Sequence, residues 1–227
     1  MKYFALPVIT GVFYCTTLLA APVEERVRGQ IASVTPDTLV VRTSSGADVS
    51  FALNGETHYF QVVRSSLDKI EPGSYIGTAT KDIGSTRIAL EVTILPPALR
   101  GMNAGSFPYD RLPDTTVSGA TTITSMMTNG NVSAVTVPTG ANVSTTMTNG
   151  NVSASGSQNG VKSLTVTFQG GQQTVVVPPT APIVSLLPGT MSDLAKGGYV
   201  FVDATQNGSS LIAGLVAAGV GGVKPPF

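Results

Sequence analysis

Laid over itself with an offset of 124 residues, the chain falls into register over a long stretch. Leu67-Asp68-Lys69-Ile70-Glu71-Pro72-Gly73-Ser74-Tyr75 meets Met191-Ser192-Asp193-Leu194-Ala195-Lys196-Gly197-Gly198-Tyr199, so that Ile70 falls on Leu194, Gly73 on Gly197 and Tyr75 on Tyr199. Ser85, Ile88, Ala89 and Val92 then meet Ser209, Ile212, Ala213 and Val216 without a gap, and upstream Val49 to Leu53 meets Gln173 to Val177. Chance similarity between two strand-rich segments does not hold one offset for so long. The pattern is that of an internal duplication. A chain of 227 residues has room for one or two domains, and the duplication selects two.

Each copy carries the same string of elements. In the first, residues 27–34 and 38–43 read as strands, with Leu39, Val41 and Thr43 alternating at the strand period. Ser44-Ser45-Gly46-Ala47 is a hairpin turn, after which Val49, Phe51 and Leu53 turn one face inward. A short strand at 59–63 follows. Ser66 then stands at the N-cap position of a single helical turn over 67–70, which Pro72-Gly73 ends. Strands at 74–79 and 87–95 complete the copy. The second copy repeats the series at 164–168, a Gly170-Gly171 turn, 174–177, 183–187, a turn capped by Thr190, 199–204 and 210–216. Five or six short antiparallel strands with one interposed helical turn predict an all-β chain of two tandem, small, OB-like β-barrel domains. Closure removes the edges that such short strands otherwise expose. The predicted boundaries are 24–97 for the first domain, 98–114 for a linker and 115–227 for the second domain.

Two unlike segments separate the copies. Residues 96–113 mix Arg100-Gly101 with Phe107-Pro108-Tyr109-Asp110, a combination that packs against something. Residues 115–159 are rich in Ser, Thr, Asn and Gly. Within them Met127-Thr128-Asn129-Gly130-Asn131-Val132-Ser133-Ala134 recurs identically at 147–154. The second occurrence leads into the strands that match the first domain. The first occurrence is therefore expected to belong to a peripheral hairpin inserted at about 121–146.

The N-terminus has the three parts of a secretory signal: Lys2, an uncharged, largely apolar run over 3–19, and the small residues Ala20 and Ala21 ahead of Glu24-Glu25-Arg26. Cleavage after Ala20 makes 1–20 a signal peptide. Tyr14 precedes Cys15, so no lipidation site forms there. Removal of this segment takes away the one cysteine, and with it any disulfide or thiolate ligand. The longest later apolar stretch, 211–223, is short and rich in Gly, so no span is expected in the mature chain. Phe227 resembles the last residue of outer-membrane strands, but Pro225-Pro226 cannot continue a ladder. A soluble periplasmic or secreted protein is expected.

Composition narrows the partners. Charged residues are 11% of the chain, against roughly 25% in an average globular protein. Lys and Arg together number 13, as do Asp and Glu, so no basic field draws nucleic acid. His58 is the one histidine, between Thr57 and Tyr59 at a strand edge, and neither a metal set nor a Ser-His-Asp triad assembles around it. Asp110 and Asp114, beside Arg111, read as solvated turn residues rather than an acid/base pair. Asp193, near Thr190, suits the first turn of a helix. The Gly197-Gly198 and Gly221-Gly222 pairs are turns, not phosphate loops. Asn-x-Ser patterns begin at Asn131, Asn142, Asn151 and Asn207, as the composition alone would produce. Among the tyrosines, Tyr75 and Tyr199 occupy equivalent positions after a turn and read as packing residues, and Tyr59 lies on a strand. Tyr109, with Arg100 and Asp110, is the remaining candidate for a ligand-binding or interdomain contact.

Val27-Arg28-Gly29-Gln30-Ile31, the turn from Asp68 to Tyr75, Ala89-Leu90-Glu91-Val92, Leu99-Arg100-Gly101, Met147-Thr148-Asn149 and Gly222-Val223-Lys224-Pro225-Pro226 together resemble an uncharacterised bacterial family of exported tandem β-domain proteins. The resemblance covers nearly the whole mature chain. Its motifs are structural, so it implies a fold and an exported location but no reaction. Members often carry the automatic label of a metal ABC transporter permease, which conflicts with a chain lacking several spanning helices. Two positions depart from the family pattern: Ser106 and Tyr109 stand where members tend to have His and Trp, which weakens any metal role there. The function expected is a non-enzymatic binding or structural module of the cell envelope, without cofactor, metal or catalytic residue. Its partner would be an envelope protein or a small ligand. The alternative is a soluble periplasmic accessory to metal handling; a hydrolase using Asp110 and Asp114 is a distant third.

Overall fold

The computed structural model describes residues 24–119, 121–136 and 161–227. Residues 1–20, expected to be a signal peptide and containing Cys15, the second copy of the eight-residue repeat, Asn142 and Asn151 lie outside the described residues. What is described is all-β: thirteen strands and three single-turn 3-10 segments. No helix among the described residues is long and apolar enough to cross a membrane.

In chain order the strands are β1 (Glu24–Val34), β2 (Thr38–Thr43), β3 (Asp48–Ala52), β4 (His58–Arg64), β5 (Tyr75–Ile83), β6 (Thr86–Ile94), β7 (Gly105–Pro113), β8 (Thr122–Thr136), β9 (Lys162–Phe168), β10 (Gly171–Val177), β11 (Ile183–Pro188), β12 (Tyr199–Asn207) and β13 (Ser210–Gly219). The 3-10 turns are Leu67–Lys69, Pro97–Leu99 and Met191–Asp193. Alternation drives the early strands as the sequence predicts. Leu39 and Val41 of β2 and Phe51 of β3 are fully buried, while their neighbours in the chain face outward.

The pairings close two rings. In the first, β1 pairs antiparallel with β2, β2 with β3, β3 parallel with β13, β13 antiparallel with β12, and β12 antiparallel with β1. In the second, β8 pairs antiparallel with β9, β9 with β10, β10 parallel with β6, β6 antiparallel with β5, and β5 antiparallel with β8. A bridge joins them: β4 lies parallel to β13, β11 parallel to β6, and β4 and β11 are antiparallel to one another. Each ring thus takes three strands from one half of the chain and a hairpin from the other.

This corrects the sequence expectation on three points. Residues 24–97 and 115–227 do not close separately, because β1–β3 are completed by β12 and β13, and β8–β10 by β5 and β6. The stretch 98–114 is more than a linker, since it contains β7, which pairs with β8. The first copy of the repeat is not in a peripheral hairpin either. Met127 to Ala134 lie in β8, a ring strand bonded to β5 and β7 along its first part and to β9 along its last.

The two rings share their joints. Gly197 N–H donates to the Ile31 carbonyl at 2.8 Å and Ile31 N–H to the Gly198 carbonyl at 2.9 Å. In the other ring Gly73 N–H donates to the Val132 carbonyl at 2.7 Å and Val132 N–H to the Ser74 carbonyl at 2.8 Å. Two residues earlier stand Gly29 and Gly130; a Cβ at either would collide with a neighbouring strand's carbonyl, Arg42 or Thr167. Each ring also has its own core. Ile31, Leu39, Val41, Phe51, Val200, Val202 and Val216 fill the first, with Leu194 beside its 3-10 turn closing one end. Ile76, Val92, Val132, Leu164, Val166 and Val175 fill the second, closed by Ile70. A third cluster, including Phe60, Val62, Leu186, Phe201 and Phe227, packs between the rings.

At the Met191–Asp193 turn it is the Asp193 carboxylate that reaches back, accepting from Thr190 N–H at 2.7 Å, one half of a capping box. Ser66 flanks the equivalent turn but makes no side-chain cap bond.

Candidate functional site

The polar groups of interest gather where the rings meet. On β1, Val27 and Ile31 point into the ring, so Arg26 and Arg28 point out of it. Arg26 stands opposite Asp203 of β12 in the pairing register, and Arg28 opposite Phe201. The strand β7 crosses this face and brings Tyr109 and Asp110. Asp110 accepts from Arg28 at 2.9 Å and lies 3.7 Å from the Arg26 guanidinium. Arg26 lies over the Tyr109 ring at 4.9 Å and Arg28 over the Phe201 ring at 5.2 Å. Arg28 Nε also donates to the Phe227 carbonyl at 2.5 Å. The segment 96–113 therefore packs firmly, through Tyr109 and Asp110, onto β1.

Of the three sequence candidates, the structure brings Tyr109 and Asp110 together and leaves Arg100 apart. Arg100 reaches Asn131 and the Gly73 carbonyl, and lies 5.9 Å from the centre of the Tyr75 ring. Tyr75 is buried, its hydroxyl donating to the Met102 carbonyl at 2.8 Å, which fits a packing role. Tyr199 is only half-buried, with the Lys224 ammonium 4.7 Å from its ring centre.

The expectation of solvated turn residues fails for Asp110 and Asp114. Asp110 is in β7 and ion-paired. Asp114 is 9% exposed, and its carboxylate is 2.6 Å from the ammonium of Lys81, itself 8% exposed. Thr116 donates to the other carboxylate oxygen through its N–H at 3.0 Å and its hydroxyl at 2.7 Å. Burial alone would raise the Asp114 pKa; Lys81 and Thr116 outweigh it and hold the carboxyl below its usual range. Each of the two aspartates thus has its own cation, so they do not share a proton. His58 is exposed at the start of β4, and among the described residues no group of three or more His, Cys, Asp or Glu gathers.

One acid escaped the sequence candidates. Glu91 of β6 is 2% exposed. It sits at a β-bulge, where Ala79 pairs with Glu91 and Thr80 with Ala89, leaving Leu90 as the extra residue. Its carboxylate accepts from Ala79 N–H at 3.0 Å and from the Thr93 hydroxyl at 2.9 Å. Burial pushes its pKa up to about 7, against those two hydrogen bonds and the charge of Arg28. Nearby, burial raises Tyr109 to about 12, with Glu91 and Asp110 adding to the effect and Arg28 and Arg26 opposing it. Asp203 is raised by burial too.

Glu91 forms part of the wall between two spaces. On one side is a small apolar cavity of about 130 Å³, reached by Met102, Tyr109, Met127, Phe201 and Phe227. On the other is a cleft of about 750 Å³, bounded by Arg28 and Gln30 of β1, Arg42 of β2, Leu112 and Pro113 of β7, Tyr199 of β12 and the tail residues Lys224 to Pro226. Both rings, the edge strand β7 and the tail contribute to it. Its volume is in the range of small-molecule sites.

No protein-family model matches this chain, and no curated protein or solved structure shows significant similarity to it.

Proposed function

We propose that the protein is an exported, non-enzymatic binding module of the cell envelope, built from an internal duplication of an OB-like barrel whose two copies exchange halves. The constant spacing of elements supports the duplication. The turns Leu67–Lys69 and Met191–Asp193 are 124 residues apart, as are β5 and β12. The matched bonds of Ile31 to Gly197 and Gly198, and of Val132 to Gly73 and Ser74, support the exchange. The N-terminal charge, apolar run and Ala20-Ala21 support export to the periplasm or beyond, in line with the exported bacterial family the sequence resembles.

The observation that carries the binding function is the cleft of about 750 Å³ between the rings, with a half-buried tyrosine, a cation-rich rim and apolar walls. The bridge makes that cleft a fixed feature, because moving one ring against the other would break β4–β13, β4–β11 or β11–β6 pairing. Native mass spectrometry of the protein purified from its own envelope tests this. The expected mass begins at Ala21 and carries a small-molecule adduct that Ser44→Trp, at the cleft rim, removes. A bare mass overturns the ligand-binding function and leaves a structural module; a mass beginning at Met1 overturns cleavage.

A further inference from the structure

We propose that the cleft binds an organic anion with an apolar body, and that Glu91 in its wall takes up one proton from solvent as the anion enters. The proposal rests on the cleft being the binding site.

The rim supplies the charge. Arg28, Arg42 and Lys224 border the cleft, and Glu91 is the one carboxylate among its lining residues. Arg42 is held by Asp48 through two bonds of 2.8 and 2.9 Å, and Arg28 by Asp110. Lys224 has no carboxylate partner among the described residues and is poised over the Tyr199 ring. It is the cation with charge to offer, and the aromatic face keeps it at the cleft. Gln30 and Ser44 add neutral donors at the rim, while Leu90, Leu112, Pro113 and Pro225 supply apolar walls. A ligand with one anionic end and an apolar body satisfies both sets.

Glu91 makes such binding proton-linked. An anion arriving beside a buried carboxylate raises the cost of keeping that carboxylate charged. By reciprocity, a protonated Glu91 favours the anion. The groups facing Glu91 fit this role. Arg28 of β1 is the opposing charge and is already shared with Asp110 of β7; Tyr109 of β7 stays neutral. Lys81 of β5 is engaged by Asp114, Asp203 of β12 lies beside Arg26, and Arg42 and Lys224 border the same cleft. Among the described residues Glu91 has no ion pair of its own, and burial raises its pKa to about 7, where a ligand's charge has the greatest effect on it.

The test uses the full exported chain and two fluorescent probes: 1-anilinonaphthalene-8-sulfonate, an organic anion, and N-phenyl-1-naphthylamine, the same body without the sulfonate. The sulfonate is expected to bind one-to-one at pH 6, with Lys224→Gln weakening it about tenfold, the size of one good charge contact. The neutral probe is expected to bind more weakly and to ignore Lys224→Gln. From pH 7 to 8 the sulfonate's affinity for the wild type is expected to fall by up to about fivefold, the limit for one linked proton on a group half-protonated at about pH 7. Glu91→Gln flattens that fall to under about twofold. Should Glu91→Gln fold poorly, calorimetry of the wild type in buffers of different ionisation enthalpy reads the same linkage, with net uptake approaching one proton at pH 8. Equal affinity for the two probes, or a sulfonate pH profile unchanged in Glu91→Gln with no proton uptake, overturns the proposal while the cleft survives as a binding site. If neither probe binds, or if Ser44→Trp leaves both unchanged, the cleft itself is not the site and the proposal falls with it.

Discussion

Replacing Glu91 by Gln should stabilise the protein at alkaline pH and leave it little changed in acid. The carboxyl titrates at about 7 when folded, against an ordinary value of 4.5. Its pKa is therefore raised by folding, and between those two values the folded state holds a proton that the unfolded chain releases. Stability then falls as pH rises through that window. The gap corresponds to about 3 kcal/mol at 1.36 kcal/mol per pH unit. The penalty is absent below about 4.5 and complete above about 7. Gln carries no charge to bury. Its carbonyl can still accept from Ala79 N–H, and the Thr93 hydroxyl can turn to accept from the amide, so the pH-independent cost is about 1 kcal/mol or less. Urea unfolding of both proteins at pH 5, 6, 7 and 8 gives the difference directly, and His58 cancels because both chains carry it. The difference should swing by about 2 to 3 kcal/mol in favour of Gln between pH 5 and 8. Parallel curves across that range would refute the assignment of a neutral, buried acid at Glu91.

Asp114→Asn leaves Lys81 buried without its partner and is expected to cost about 3 to 5 kcal/mol, while Lys81→Met with Asp114→Leu recovers much of that loss; urea melts of the single and double variants check it. Gly29→Ala should destabilise by more than about 1 kcal/mol, because its methyl meets the Arg42 carbonyl, whereas Gly55→Ala, in open space, should stay within about 0.5 kcal/mol. Thermal melts with saturating Zn²⁺, Mn²⁺ or Mg²⁺ should match those in chelator; a rise of several degrees with one of them would revive the metal-handling alternative.

Much of the strand list was legible because the alternation is strong. Leu39, Val41 and Phe51 mark one face, and the 124-residue offset placed both turns and the hairpins after them. Partner choice was not legible, for a physical reason. Ile31 bonds to Gly197 and Gly198, and Val132 to Gly73 and Ser74; since both turns offer the same backbone groups, either could complete either ring. The strand β7 was hidden by Pro108 and Pro113, which demote a run to an edge strand, and among the described residues β7 pairs with β8 alone. Glu91 left a fainter signal, a lone acid inside the apolar run Ile88-Ala89-Leu90-Glu91-Val92. A charge placed where the strand must be buried was the clue to the site.

The cleft exists only if β1 lies against β12, so cross-linking those strands is the most direct experiment. Glu24 and Thr205 are both exposed and face each other across the β1–β12 ladder. Antiparallel partners lie about 4.5 to 5.5 Å apart at Cα, within disulfide range. In a chain carrying Cys15→Ser, the pair Glu24→Cys and Thr205→Cys should oxidise readily to a monomer with one internal disulfide that still unfolds cooperatively. Two free thiols after mild oxidation, or a disulfide found only between two chains, would contradict the exchange of halves.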